Sequence, residues 1–163
     1  MRNLLFIPLF FLSACQLPDK KPAVVKNIEL DNKINPKQKN ESVVQTIPLM
    51  NNGAKNLYNQ AQKYFQLNAY DQAIVSLERA YEIQPKAPQI SQLLSEILLH
   101  KGNNKQAHYW ASISTKNSPA KGEICEKSWR ILAIAAQQLG YDANQAMALD
   151  KQEQCLVKSE NRY

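Results

Sequence analysis

The chain has 163 residues, with 20 Lys and Arg against 14 Asp and Glu and a formal net charge of +6. That length accommodates one domain plus a tail. The Lys surplus is spread rather than clustered, which argues against a nucleic-acid footprint and suits solubility or an anionic lipid or glycan surface. With only 4 glycines, the chain lacks the material for a phosphate-cradling loop.

The chain opens with Arg2 and Asn3, followed by the nearly pure apolar run Leu4 to Leu12. A membrane span needs about 20 apolar residues, so this run is too short to cross and fits the core of a secretory signal. It ends in Leu12-Ser13-Ala14-Cys15. Those four residues resemble the lipobox of bacterial lipoproteins. The resemblance implies diacylglyceryl attachment to the Cys15 thiol, removal of residues 1–14 and acylation of the new amino terminus. The covalent lipid on Cys15 is then the only prosthetic group expected. Each buried methylene contributes about 0.8 kcal/mol, so several chains hold firmly where one binds marginally. Gln16-Leu17 comes next, without the Asp that retains lipoproteins in the inner membrane. The resemblance therefore points to the periplasmic face of the outer membrane, with the inner membrane as the alternative.

From Gln16 to about Asn52 the chain is rich in Lys, Asn, Gln and Pro, with Pro18, Pro22, Pro36 and Pro48 scattered through it. Apolar residues come in isolated pairs such as Val24-Val25, and no period of 3.6 or 2 persists. Residues 15–52 are expected to form a lipidated, disordered linker. The stretch Val43 to Met50 is apolar enough to dock on the domain that begins at Gly53, and either outcome is open.

From Gly53 onward the apolar and small residues recur with helical spacing, and the pattern itself repeats. Ala61, Tyr64, Ala73, Leu77, Ala80 and Pro85 are matched 34 positions later by Ser95, Leu98, Ala107, Ala111, Ser114 and Pro119. A period of about 34 with paired helices resembles the tetratricopeptide repeat. Small residues stand where two helices cross closely. Pro85 and Pro119 follow the second helix of each unit, and Asn68 and Gly102 fall at the turn within it. A third unit is displaced by four residues: Trp129, Leu132, Ala133, Ala136 and Gly140 follow Ser91, Leu94, Ser95, Leu98 and Gly102 by 38. The expected fold is all-α, a right-handed superhelix of three helix hairpins over residues 53–157. Its units run over about 54–87, 88–121 and 126–157, with a tail at 158–163. Helices are expected near 54–67, 70–83, 88–101, 104–117, 124–139 and 142–157, with no strand. No polar helix caps the last unit, so it caps itself, meets a partner or pairs with a second copy.

With Cys15 assigned to lipid, Cys125 and Cys155 remain. One opens the first helix of the third unit and the other closes the second, and a hairpin brings those ends together in an oxidising periplasm. A disulfide is expected there; two inert buried thiols are the alternative. His100 and His108 lie on different helices across the Gly102-Asn103 break, and neither is read as having a Cys, Asp or Glu at ligand spacing. No nucleophile motif is present, so no catalytic residue and no metal site are expected. Trp129 reads as core packing, and Trp110 as core or ligand-stacking.

In the tetratricopeptide family the first helices of successive units line a concave groove. The resemblance carries that role to Lys55, Tyr58, Gln62 and Phe65, then Gln89, Gln92, Glu96 and Leu99, then Lys127, Arg130, Ile134 and Gln137. The strongest candidates are Tyr58, Gln62, Phe65, Gln92, Glu96, Lys127 and Arg130. Members that clamp a terminal carboxylate use basic residues and Asn where Tyr58, Gln62 and Gln92 stand here, so that clamp is not implied. Amides, aromatics and a basic end suit an extended peptide or a partner helix. The reading is a non-enzymatic, membrane-anchored periplasmic adaptor that binds an envelope protein or peptide in envelope assembly or cell-wall remodelling. The alternatives are a self-associating structural lipoprotein, with a homodimer through the third unit, and a small-ligand or glycan binder.

Overall fold

The computed structural model describes residues 27–36 and 49–156. The signal segment, Cys15, residues 43–48 and the tail at 158–163 lie outside them. Among the described residues the chain is entirely helical: α1 (Ile28–Ile34), α2 (Asn52–Gln66), α3 (Tyr70–Ile83), α4 (Pro88–His100), α5 (Asn104–Asn117), α6 (Glu123–Gln138) and α7 (Asp142–Gln154). The helices expected at 70–83 and 104–117 have those bounds, and the other ends agree to within a few residues.

Local chemistry sets these boundaries. The Asn51 side chain accepts from the Ala54 amide at 2.8 Å, capping α2, and Asn103 does the same for Gln106 at 3.3 Å at the start of α5. Pro88 occupies the first turn of α4, where its missing N–H costs nothing. The first helix of every hairpin ends in one motif. Asn68, Gly102 and Gly140 have φ of 57°, 78° and 69°. Beyond them, the amides of Ala69, Asn103 and Tyr141 return to the carbonyls of Tyr64, Leu98 and Ala136 at 2.8–2.9 Å. This left-handed closure satisfies carbonyls that the helix end would otherwise orphan. It turns each chain sharply into its partner helix.

The hairpins α2–α3, α4–α5 and α6–α7 stack in order, and α4 also packs on α6. Close crossing is permitted by Ala61, Ala73, Ala80, Ala107, Ala111 and Ala136, all fully buried. The seam between the second and third hairpins is polar. Ser128 Oγ lies 2.7 Å from Ser114 Oγ and 3.2 Å from Ser118 Oγ, and Ser114 Oγ donates to the Pro88 carbonyl at 3.0 Å. A buried network of this kind is favourable only when its members are satisfied, and these are. The last helix is the least anchored: in α7 only Ala148 is buried, while Ala146 is exposed. Cys155, just past it, is joined to Cys125 by a disulfide with a Cα–Cα distance of 5.6 Å. The neighbouring Gly122 amide donates to the Cys155 carbonyl at 2.9 Å.

One element departs from the sequence reading. The stretch from 16 to 52 was expected to have no face to bury, yet its residues Ile28–Ile34 form a helix whose Ile34 is fully buried. The helix has its own punctuation: Asn27 caps the Leu30 amide at 3.1 Å, Glu29 and Asp31 lie in the first turn, and Lys33 in the last. It is one short turn-pair, too brief to register as a sustained period. At the start of α2, Gln84 clamps the entering chain: its side chain accepts from the Asn51 amide at 2.8 Å and donates to the Leu49 carbonyl at 3.2 Å.

Candidate functional site: a groove with a resident helix

The first helices of the hairpins, α2, α4 and α6, carry the site, and α1 packs against α6 with its polar contacts reaching α4. Its last turn is held by two polar anchors. Arg130 of α6 donates to the Ile34 main-chain carbonyl at 3.0 Å, and Asn35 donates to Glu96 Oε1 of α4 at 2.8 Å. A cation at the C-terminal carbonyls of a helix is favoured by its dipole as well as by the hydrogen bond. Between these anchors the Ile34 side chain is fully buried, a transfer of about 1.5–3 kcal/mol if complete. Leu30, one turn earlier, packs partly buried against the core.

Glu96 is the centre of the site. It is 3% exposed, and its second oxygen pairs with Lys127 Nζ at 2.8 Å. A buried carboxylate without such partners would carry a heavy desolvation cost. Tyr58 stands beside it, half-buried. Burial first, and then the Glu96 charge, push its phenol up to about 12, so it is a neutral donor across the physiological range. Arg130 is bound also by Glu126 on its own helix. Burial presses its guanidinium below the ordinary value and Glu126 opposes that; it remains a cation.

An aromatic cluster closes one end. Phe65 of α2 meets His100 of α4 edge-on at 5.3 Å, and Tyr70 lies 5.8 Å from Phe65. Burial and the Asp31 charge raise the Tyr70 phenol. His100 Nε2 is 3.9 Å from Asp31 Oδ1 of α1.

Among the sequence candidates, Tyr58, Glu96, Lys127 and Arg130 are thus brought into one polar site, with Phe65 at its aromatic end. Gln62 is exposed on α2. Gln92 is not a groove residue. It is buried against α6, donating to the Ile124 carbonyl at 3.0 Å and to Ser128 Oγ at 2.9 Å, because α4 is the central helix and has no solvent face from Ile90 to Leu99. A second correction concerns His100. Glu96 precedes it by one helical turn and Asp31 comes from α1, so the three offer ligand atoms within 4.8 Å of one another. Both Glu96 oxygens are engaged by Asn35 and Lys127, which makes the trio part of the ionic seat of α1. The residues missed outright were Leu30, Asp31, Ile34 and Asn35. Their signal was a capping Asn with acids after it, an apolar pair at i and i+4, and Pro36 beyond the end. The aromatics divide simply: Trp129 packs on the core, and Trp110 packs edge-on against Tyr81 at 4.9 Å, away from the groove.

The sequence pattern of the tetratricopeptide repeat matches residues 64–108, from the end of α2 into α5. The structure is similar to the globular C-terminal domain of P. aeruginosa LpoP, at 25% identity and a TM-score of 0.58, covering 64% of this chain and 99% of that one. The fold is tetratricopeptide-like. No curated protein matches the chain. Among the described residues, no helix is long and apolar enough to cross a membrane.

Proposed function

We propose that the chain is a non-enzymatic adaptor of the bacterial envelope, whose groove binds a helical segment of a partner protein in envelope assembly or cell-wall remodelling. Repeat folds of this type generally mediate protein–protein contact, and the match to the tetratricopeptide pattern supports that reading. The observation that carries it is α1 itself. A short helix lies across α4 and α6, anchored by Arg130 on its terminal carbonyl and by Glu96 on the following Asn. The groove accepts a helix by contacts that many helix ends offer.

In this reading the adaptor is tethered through lipid on Cys15 to the periplasmic face of the outer membrane, a step that rests on the Leu12-Ser13-Ala14-Cys15 resemblance. Labelling cells with a clickable fatty acid tests the anchor: Cys15→Ser should lose the label and the membrane fraction. A photo-crosslinking residue at Gln137, on the exposed lip of the groove, should trap a reproducible envelope protein that the same residue at Glu82, exposed on α3, does not. Identical or empty profiles at both positions would remove the adaptor reading.

Self-association is the second reading, favoured by one observation. α7 leaves Met147 44% and Leu149 46% exposed, with no helix packed outside them among the described residues. Sedimentation over a wide concentration range decides it, since a strict monomer excludes the dimer.

A further inference from the structure

We infer that α1 is a resident competitor for the groove, and that the partner segment is a short amphipathic helix of the same chemistry that must displace it. This rests on the adaptor reading and adds to it the class of ligand and the form of control. The ligand would carry an apolar pair one turn apart, as Leu30 and Ile34 are, with an acid facing His100 as Asp31 does. Its last carbonyl would meet Arg130, and an amide side chain just beyond would reach Glu96.

Two observations set α1 apart from a permanent part of the core. The first is how little holds it. Of its residues only Ile34 is buried; Leu30 and Asp31 are half-buried, and Ile28, Glu29, Asn32 and Lys33 are exposed. A helix this short has no stability of its own, since isolated helices below about 12–15 residues are marginal in water. Segments with so few buried contacts open far more readily than the body they dock on.

The second observation is that the groove exceeds its occupant. A cavity of about 430 Å³ remains beside α1, lined by Leu30 and Lys33 on one side and by Leu99, His100, Ile134 and Gln137 on the other. That falls within the usual range for a ligand pocket, roughly 300–1,000 Å³. A helix with an extra turn or a bulkier side chain at the Leu30 position would fill space that α1 leaves open. Such a ligand gains contacts α1 cannot make. Covalent attachment gives α1 the compensating advantage of high local concentration, so exchange is set by a balance rather than by α1 alone.

The test uses the full chain in detergent micelles and a fluorescent peptide of residues 27–36, read by anisotropy. Wild type should bind it weakly, because α1 is in place. Ile34→Asp in the chain undocks α1 while leaving the groove intact, and should bind the same peptide at least tenfold more tightly. Leu30→Asp is the second variant, and circular dichroism checks that both retain the helical content of wild type. Adding Arg130→Ala to either should return binding to the weak level. In wild type, saturating peptide should speed amide exchange at Asp31 and Asn35. Equal affinity for wild type and both undocked variants would overturn the inference, as would peptide binding that leaves α1 exchange unchanged. No envelope partner enters the titration, so its failure is read separately from a failure of crosslinking in cells.

Discussion

The Arg130 guanidinium donates to the Ile34 carbonyl at 3.0 Å across a sequence separation of 96 residues, tying the end of α1 to the third repeat hairpin. A hydrogen bond from a charged group contributes about 1.5–3 kcal/mol, and each 1.4 kcal/mol is about tenfold in an equilibrium. Arg130→Ala should therefore speed exchange at the Asp31 and Asn35 amides, which bond within α1, by roughly ten- to a hundred-fold. Arg130→Lys should recover only part of the protection, since a single ammonium cannot hold Glu126 and the carbonyl together as the guanidinium fork does. Exchange deep in α4 should not move. Mass spectrometry of exchange-labelled peptides separates the two regions, and unchanged protection of α1 would show that Arg130 does not hold it.

Gln92 behaves differently because its amide is spent inside the stack. Removing it takes away the side-chain donor that reaches both the Ile124 carbonyl and the Ser128 hydroxyl across a buried seam. Gln92→Ala should cost about 1–3 kcal/mol of unfolding free energy, measured by urea denaturation. Peptide binding in the groove, measured in an undocked-α1 background, should stay within twofold. A change in binding with stability intact would return Gln92 to the groove.

These two residues show where sequence reading succeeds and where it stops. The repeat was legible because Asn68, Gly102 and Gly140 punctuate it and small residues recur at each crossing. The repeat register places Tyr58 of α2 and Lys127 and Arg130 of α6 together at the polar site. On α4 that register divides. The same helical register serves Gln92 and Glu96, but Gln92 turns to α6, and Glu96 meets a segment that the periodicity had passed over. α1 was hidden for a physical reason: seven residues carry too few apolar positions to define a face, and the groups that order them lie on distant helices.

Among the described residues, the third hairpin is the one closed by a disulfide. α7 buries only Ala148 within the helix, while Cys125 and Cys155, 30 residues apart, close the hairpin at its open end. A loop of that length is stabilised by about 3–4 kcal/mol when cross-linked. The double change Cys125→Ala, Cys155→Ala should lower the unfolding free energy by about that amount and release α7 first, seen as faster exchange in 142–154. In a chain carrying Cys15→Ser, alkylation under denaturing, non-reducing conditions should find no free thiol. Two reactive thiols would end the assignment.

His108 supplies a pH dependence whose sign is set by its surroundings. It lies on α5, edge-on to Tyr141 at 5.8 Å, and its Nε2 is buried with no hydrogen-bond partner among the described residues. Burial lowers its pKa from the ordinary value of 6.5. The unfolded chain therefore binds a proton near pH 6.5 that the folded chain still refuses. Between the two values the unfolded state holds more protons, and stability must fall as pH falls. The His108 contribution is complete above about pH 6.5 and is lost as pH drops through the lower, folded value. His108→Phe keeps the edge contact with Tyr141 and removes the titration. Melting temperatures from pH 7.5 to 5, at roughly constant ionic strength, should decline less steeply for the variant than for wild type. Carboxylates titrate alike in both, so the difference between the two curves belongs to His108. Parallel curves would mean that its nitrogen is solvated after all.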